Sequence, residues 1–359
     1  MASLTERTLS QANKLGRREE IANLISLVDA KDTPFTSMAK KGSQPQQTLF
    51  RWQVDSLPDP KTDGTIDGTD VVTNDYENYV KDTVGGNPKQ YRNELAAHIQ
   101  IFRRTVRVSK LTQSSVTNIA GVKDELANNV AKAMTMIKRD MEKTMCSANG
   151  SQTDNGSVPY KTRGLDKWLV KAADKDTHAA TIVPDEFCLP YNAGDATSSS
   201  IVTGNLSDLS ETTVQNLLTS IYKQTGQYKS YDALCGPLQK RAFTNLVYTT
   251  KETAGTQAAP LTSSSQRNFN RDASDSSYTS SIDVFEGDFG TLRLHPSLFL
   301  KNFSVGYIIP FDLVEIRYGG NVAEVTNLPD YGGGPARLIE AVAGLCIHNP
   351  LAFGKLDLT

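Results

Sequence analysis

The sequence predicts an α+β chain whose helices pack on sheets while two segments reach away from the body. Three patterns carry that expectation. Leu126, Val130, Met134, Ile137, Met141 and Met145 step by four and three, the apolar stripe of one long helix. Near the end, Ile339, Ala341, Ala343, Leu345 and Ile347 alternate over a long strand. Between two other alternating runs lies a polar tract rich in Asp, Gly, Thr and Pro, too poor in apolar residues to hold a core.

With 359 residues the chain has room for about two domains of ~150 residues. A hydrophobic fraction of 38% permits a sizeable core. The formal charge of -2 lacks the basic excess of a protein that neutralises many phosphates, which argues against extensive nucleic-acid wrapping. No secretory h-region opens the sequence, and no apolar run reaches the ~20 residues of a membrane span. Synthesis and assembly in the cytoplasm are therefore expected.

Ile21, Leu24, Ile25 and Val28 fall on one helical face, stopped by Asp32-Thr33-Pro34. So short a helix on a polar arm is unstable alone and must lie on something else. Phe50, Trp52 and Val54 alternate as a strand, and Arg92 to Lys110 forms the return, with Ile99 and Ile101, then Val106 and Val108, in alternation. A two-stranded ribbon of this kind is marginal in water and needs a surface to rest on. Its outer part carries Asp55, Asp59, Asp63, Asp67, Asp70, Asp75, Glu77 and Asp82 against Lys61 and Lys81. The return carries Lys89, Arg92, Arg103, Arg104, Arg107 and Lys110 against Glu94. In a symmetric assembly the acidic tip of one copy can meet the basic stem or body of the next. A solvated loop with scattered charges is the alternative.

The long helix is expected from about Ile119 to Cys146, with Asn118 as N-cap and Asn149-Gly150 as stop, spanning roughly 40 Å. Its methionines read as core. Residues 148 to 205 form an extended insertion anchored by Tyr160, Leu165, Trp168, Leu169, Phe187 and Leu189. Val214, Leu217, Leu218 and Ile221 then mark a helix between Ser210 and Gly226. Tyr231 to Cys235 is a strand and Leu238 to Val247 a second helix, with a sheet expected between the two helices. Thr249 to Ser281 reads as a surface loop. Ile282, Val284 and Phe285 pair with Leu292 and Leu294 across Gly287-Asp288-Phe289-Gly290, and strands follow at Tyr307 to Pro310 and Leu313 to Tyr318.

Catalytic or cofactor chemistry does not assemble from this sequence. Cys146, Cys188, Cys235 and Cys346 are scattered, with no CxxC and no histidine read at ligand spacing, so reduced thiols are expected and no metal site. His98, His178, His295 and His348 sit in unrelated contexts, and GxSxG, HExxH and Walker patterns are missing. Asp283, Glu286 and Asp288 lack EF-hand spacing and read as a polar turn. Gly332-Gly333-Gly334-Pro335 reads as a flexible turn and not as a phosphate cradle.

The order of arm, hairpin excursion, long helix, central helix–strand–helix unit and late strand resembles the HK97-like fold of tailed-phage major capsid proteins. Particular stretches are similar to the branch typified by the capsid protein of phage SU10. They are Ile25-Ser-Leu-Val-Asp-Ala-Lys-Asp-Thr-Pro-Phe35, Lys123-Asp-Glu-Leu-Ala127, Thr162-Arg-Gly-Leu165 with Trp168, and Asp283-Val-Phe-Glu-Gly-Asp-Phe-Gly290. Asn349-Pro350 and Ala352-Phe-Gly-Lys355 complete the set.

The resemblance implies an N-arm over 1–44, an E-loop hairpin over 45–110, and a P-domain over 111–206 with its spine helix and insertion. It further implies an A-domain over 207–335 and a P-domain return strand over 336–359. It implies a shell of homo-pentamers and homo-hexamers enclosing double-stranded DNA without sequence-specific contact, with no cofactor, no enzymatic activity and no membrane. Portal, decoration and separately encoded scaffolding proteins would be further partners, since no charged scaffold-like segment precedes the arm. The candidate contacts between copies are Asp59, Asp63, Asp67, Asp70, Asp75, Glu77 and Asp82 with Arg92, Arg103, Arg104 and Arg107, and the arm residues Ile21, Leu24, Ile25 and Val28. An encapsulin-type shell shares the fold and is the alternative. A soluble enzyme using the Asp283–Asp288 turn or the glycine cluster for a metal or a phosphate is a further one.

Overall fold

The computed structural model describes residues 29, 32–57, 60, 62, 64–70, 82–84, 87–89, 92–114, 124–176, 178–246, 269–272, 275–278 and 283–358. Two sheets organise these residues. The five-stranded sheet is built around Ala336–Ile347, the long late strand. One edge of that strand pairs with Gln100–Arg107, and the other pairs first with Glu324–Leu328 and then with Val314–Tyr318. Lys40–Lys41 adds a short parallel strand outside Val314–Tyr318. The alternation read from the sequence holds here: Ile339, Ala341, Ala343, Leu345 and Ile347 are all buried.

Against this sheet lies the long helix, Glu125–Met145. It starts later than the periodicity suggested, because Asp124 caps it by accepting from the N–H groups of Leu126 and Ala127. It ends at Cys146, before Asn149-Gly150, so its length is about 30 Å. The expected cap Asn118 lies outside the described residues. The buried stripe is Leu126, Ala133, Ile137, Met141 and Met145, whereas Met134 faces water. Ala133, with its small side chain, holds the core position that the larger Met134 seemed to claim.

The six-stranded sheet runs Val284–Gly287, Gly290–Pro296, Lys229–Cys235, Val305–Ile309, Gly354–Leu358, Ile201–Gly204. The hairpin turn at Asp288-Phe289 is as read, with Gly287 opposite Gly290. Tyr231, Ala233 and Cys235 face one way with Ile308 and Leu356, and the helices Glu211–Thr225 and Pro237–Leu246 pack on that same face through Leu217, Ile221 and Phe243. The expectation of a sheet between the helices is therefore corrected. Leu234, Val305, Tyr307 and Ile309 point the other way, into the larger core. That second face is apolar too, which leaves it no room for exposure to water.

The two sheets cut across the expected segment divisions. Val314–Tyr318 and Glu324–Leu328 fall within the expected A-domain but lie in the five-stranded sheet, and Gly354–Leu358 falls within the expected return strand but lies in the six-stranded one. Residues 269–278, expected as loop, include paired strands Phe269–Asp272 and Asp275–Tyr278.

The insertion contributes to the core through its anchors. Leu165, Trp168, Leu169, Phe187 and Leu189 are buried, and Arg163 is buried with them. Its guanidinium lies 4.5 Å from the Trp168 ring centre, donates to the Thr181 carbonyl and stands 3.6 Å from Asp176. Burial pulls this arginine down to about 10. Gly164 next to it is required by close approach, since a Cβ there would sit 2.1 Å from the Ser147 carbonyl oxygen.

Candidate assembly interface

The N-terminal segment is pinned to the body at Pro34–Met38. Pro34–Met38 forms one helical turn with Phe35 fully buried, 5.8 Å from Phe311 between ring centres. Its free N–H groups are taken by a carboxylate from the long helix: Phe35 N donates to Glu142 Oε1 at 2.9 Å and Thr36 N to Glu142 Oε2 at 2.8 Å. Burial pushes the Glu142 carboxyl above the usual range, and the Thr36 and Phe35 donors offset that only in part. A raised folded-state pKa contributes stability that is present at low pH and lost as pH climbs through it. Glu142→Gln is therefore expected to flatten the fall in stability between the ordinary glutamate range and the raised one. Urea midpoints of both proteins across that window check this, and parallel slopes would contradict it.

The hairpin stem pairs Leu49–Val54 with Asn93–His98, Leu49 opposite His98 and Val54 opposite Asn93. The return does not run on as one strand. It breaks at Ile99, whose N–H donates to Thr48 O, and Gln100–Arg107 then joins the five-stranded sheet. Consequently Phe102 is buried and Ile101 is exposed, contrary to the alternation first read. Nor does the whole hairpin wait for a partner. Phe50, Trp52, Leu95 and Ala97 are buried in the main core, and Trp52 Nε1 donates to Ile347 O at 3.1 Å. The same ring lies 5.7 Å from Trp168. Aromatic anchors thus seat the stem on its own chain.

Beyond the stem the character changes. Leu57 is 84% exposed and Ile66 78%, and residues 64–70, with Asp67 and Asp70, are exposed throughout. Asp82 opens the short strand Asp82–Val84, paired with Asn87–Lys89. Asp59, Asp63, Asp75, Glu77, Ile21, Leu24, Ile25 and Val28 lie outside the described residues.

Much of the basic stem is matched within the chain. Arg92 meets Asp55 at 3.0 Å, Arg103 meets Glu340 at 2.7 Å, and Arg104 grips both oxygens of Asp140 at 2.7 Å. Exposed pairs of this kind contribute about 0–1 kcal/mol each. Arg107 lies against Gly333. The glycine loop is tied by Asp330, which accepts from Gly332 N at 2.9 Å and Gly334 N at 3.1 Å and pairs with Lys110. Tyr331 at its crest is 88% exposed. Asp283 of the hairpin turn pairs with Lys240 at 2.8 Å.

Three features escaped the sequence reading. Glu142 holds the arm, and its only signal was a charged residue flanking the apolar stripe. Asp166, 3% exposed, binds Lys355 at 2.6 Å and accepts from Tyr307 Oη at 2.9 Å, a pairing across 189 positions that no local pattern announces. Cys346 stands with His348 and Glu315, their potential ligand atoms all within 4.8 Å of one another. Contrary to the expectation of no histidine at ligand spacing from a cysteine, alternation along the strand puts residues 346 and 348 on one face. All four cysteines are buried and unpaired.

The whole arrangement has counterparts. The sequence matches the family described as SU10 major capsid protein over residues 4–359. The major capsid protein of Escherichia phage Phieco32 is 32% identical over 166 residues, 46% of this chain, and the match spans only 42% of that relative's length. Among solved structures, the cyanophage A-1(L) capsid asymmetric unit superposes with a TM-score of 0.58 at 11% identity, covering 95% of this chain and 96% of that one. The SrpI encapsulin of Synechococcus elongatus PCC 7942 gives 0.50 at 10% identity, covering 96% and 93%. At such identity these likenesses speak for the fold alone, which is the HK97-like α+β capsid fold. With its family matched from residue 4 to residue 359 and its fold shared with phage capsids, this chain belongs to the SU10 major capsid protein family.

Proposed function

We propose that the chain is the shell subunit of a tailed-phage head. Copies join as pentamers and hexamers and close an icosahedral shell around double-stranded DNA, which they enclose without reading its sequence. The role is structural, exercised in the virion after assembly in the host cytoplasm, with scaffolding, portal and decoration proteins as further partners.

The division within the hairpin carries this reading. Its stem is fixed on the body by Phe50, Trp52 and Leu95, while Leu57, Ile66, Asp67 and Asp70 are held out in water. A single exposed leucine is ordinary. A firmly based projection with apolar side chains and like charges is shaped to be covered by another subunit. Because Arg92, Arg103 and Arg104 already have carboxylates of their own, the acidic tip is the part left seeking cations on a neighbour.

Replacing Asp67 and Asp70 together by lysine is expected to cut the yield of closed particles in negative-stain images severalfold, with the protein still soluble and folded by sedimentation and circular dichroism. Undiminished particles would overturn the tip contact. The likeness to the SrpI encapsulin favours a second reading, a shell around an enzyme cargo. Nuclease-protected DNA inside purified particles distinguishes the first reading from packaged protein, which would establish the second.

A further inference from the structure

Glu315 and Cys346 are direct partners across the antiparallel strands Val314–Tyr318 and Ala336–Ile347. His348 continues the ladder, its N–H donating to Leu313 O at 3.0 Å. The three side chains therefore rise from one face of the sheet, and His348 Nε2 stands 3.1 Å from Glu315 Oε1. A hydrogen bond between those two would account for them alone, but not for the thiol placed beside both.

We propose that Cys346, His348 and Glu315 form a site for a divalent transition metal of the zinc class. One thiolate, one imidazole and one carboxylate make a borderline-soft donor set suited to zinc(II). Bonds of about 2.0–2.3 Å place tetrahedral ligands roughly 3.4–3.8 Å apart. The present spread of up to 4.8 Å closes by side-chain rotation, because His348 and Glu315 are 35% and 26% exposed while Cys346 is fixed in the core. As the metal–sulfur bond forms, the thiol proton leaves to solvent. His348 and Asn349 line a cleft of about 630 Å³ that also touches Gln53, Lys229 and Tyr231, so the imidazole side of the site opens to solvent.

Arg317 is the opposing group. Its Nε lies 3.8 Å from Glu315 Oε2, and its charge weakens binding of a cation. The guanidinium is drawn aside onto the Phe50 ring, 5.1 Å from its centre, and its Nε makes no hydrogen bond to the carboxylate. The location gives the site a consequence. Lys40 lies opposite Glu315 in the parallel strand register, and a Cβ on Gly42 would come within 2.8 Å of Glu315 Oε2, so the N-terminal segment runs close beside the carboxylate. A bound ion would clip Val314–Tyr318, the strand that carries this segment, to Ala336–Ile347.

The test is titration of the full chain with cobalt(II), followed by displacement with zinc(II). The expected result is a saturable 1:1 complex with a thiolate-to-cobalt charge-transfer band, and a melting temperature raised by zinc. Cys346→Ser should abolish the band. His348→Gln, at a partly exposed position that leaves the fold intact by its metal-free unfolding midpoint, should weaken binding roughly tenfold or more. A wild-type protein without the band, a band that survives Cys346→Ser, or unaltered affinity in His348→Gln would each overturn the site.

Discussion

Asp166→Ala is expected to lower unfolding free energy by about 3–5 kcal/mol, because it strands a buried lysine. Lys355 is 6% exposed and has Asp166 at 2.6 Å as its nearest carboxylate, with Asp357 farther away at 3.6 Å. Lys301 leans on the same aspartate at 3.5 Å. Tyr307 donates to it, and burial above all keeps that phenol protonated and able to donate. Removing the carboxylate leaves the ammonium with only Asp357 at 3.6 Å and the Tyr307 hydroxyl without this acceptor, at the junction of the insertion with the six-stranded sheet. The double variant Asp166→Ala, Lys355→Met should regain a large part of the loss, since an apolar replacement needs no partner. Urea unfolding of the three proteins measures this. A single-variant loss near the ~0.5 kcal/mol of a surface change would sink the account.

The second large effect is expected at the hairpin stem. Trp52→Ala should cost about 3–5 kcal/mol through the cavity it leaves beside Trp168 and Phe50. The loss falls locally, because a two-stranded ribbon without its anchor is marginal. Tryptic cleavage at Arg51 and Arg92 should accelerate many-fold while the helices keep their circular dichroism, and closed particles should vanish. Trp52→Phe should restore most of both. Unchanged protection of the stem in Trp52→Ala would show that strand pairing, not the ring, holds it.

Periodicity made the long strand and the helices legible. Ile339 to Ile347 and the Val214–Ile221 stripe are packed as their spacing says, because each faces one core along its whole length. Spacing misled wherever one segment serves two partners. Gln100–Arg107 leaves the hairpin for another sheet within one residue, so Ile101 turns outward. Met134 lost its place to Ala133 because helix packing selects for fit as well as for apolarity. The exposed outer part of the hairpin was legible as charge and as missing apolar content. The tethers were not: Glu142 with Phe35, and Asp166 with Lys355, join residues more than a hundred positions apart. Such pairs follow from topology, and topology was read only through family likeness. The surface that the ribbon needs is supplied for its stem by the same chain, where two tryptophans and a phenylalanine seat it.

The passage of the chain from Ala336–Ile347 into Gly354–Leu358 bears on how the subunit carries force. The first strand is the spine of one sheet, and the second lies between Val305–Ile309 and Ile201–Gly204 of the other. A tug that separates the two lobes therefore travels down covalent backbone and pulls each ladder lengthwise, so that many hydrogen bonds must yield together. That wiring lets the lobes share tension as one piece.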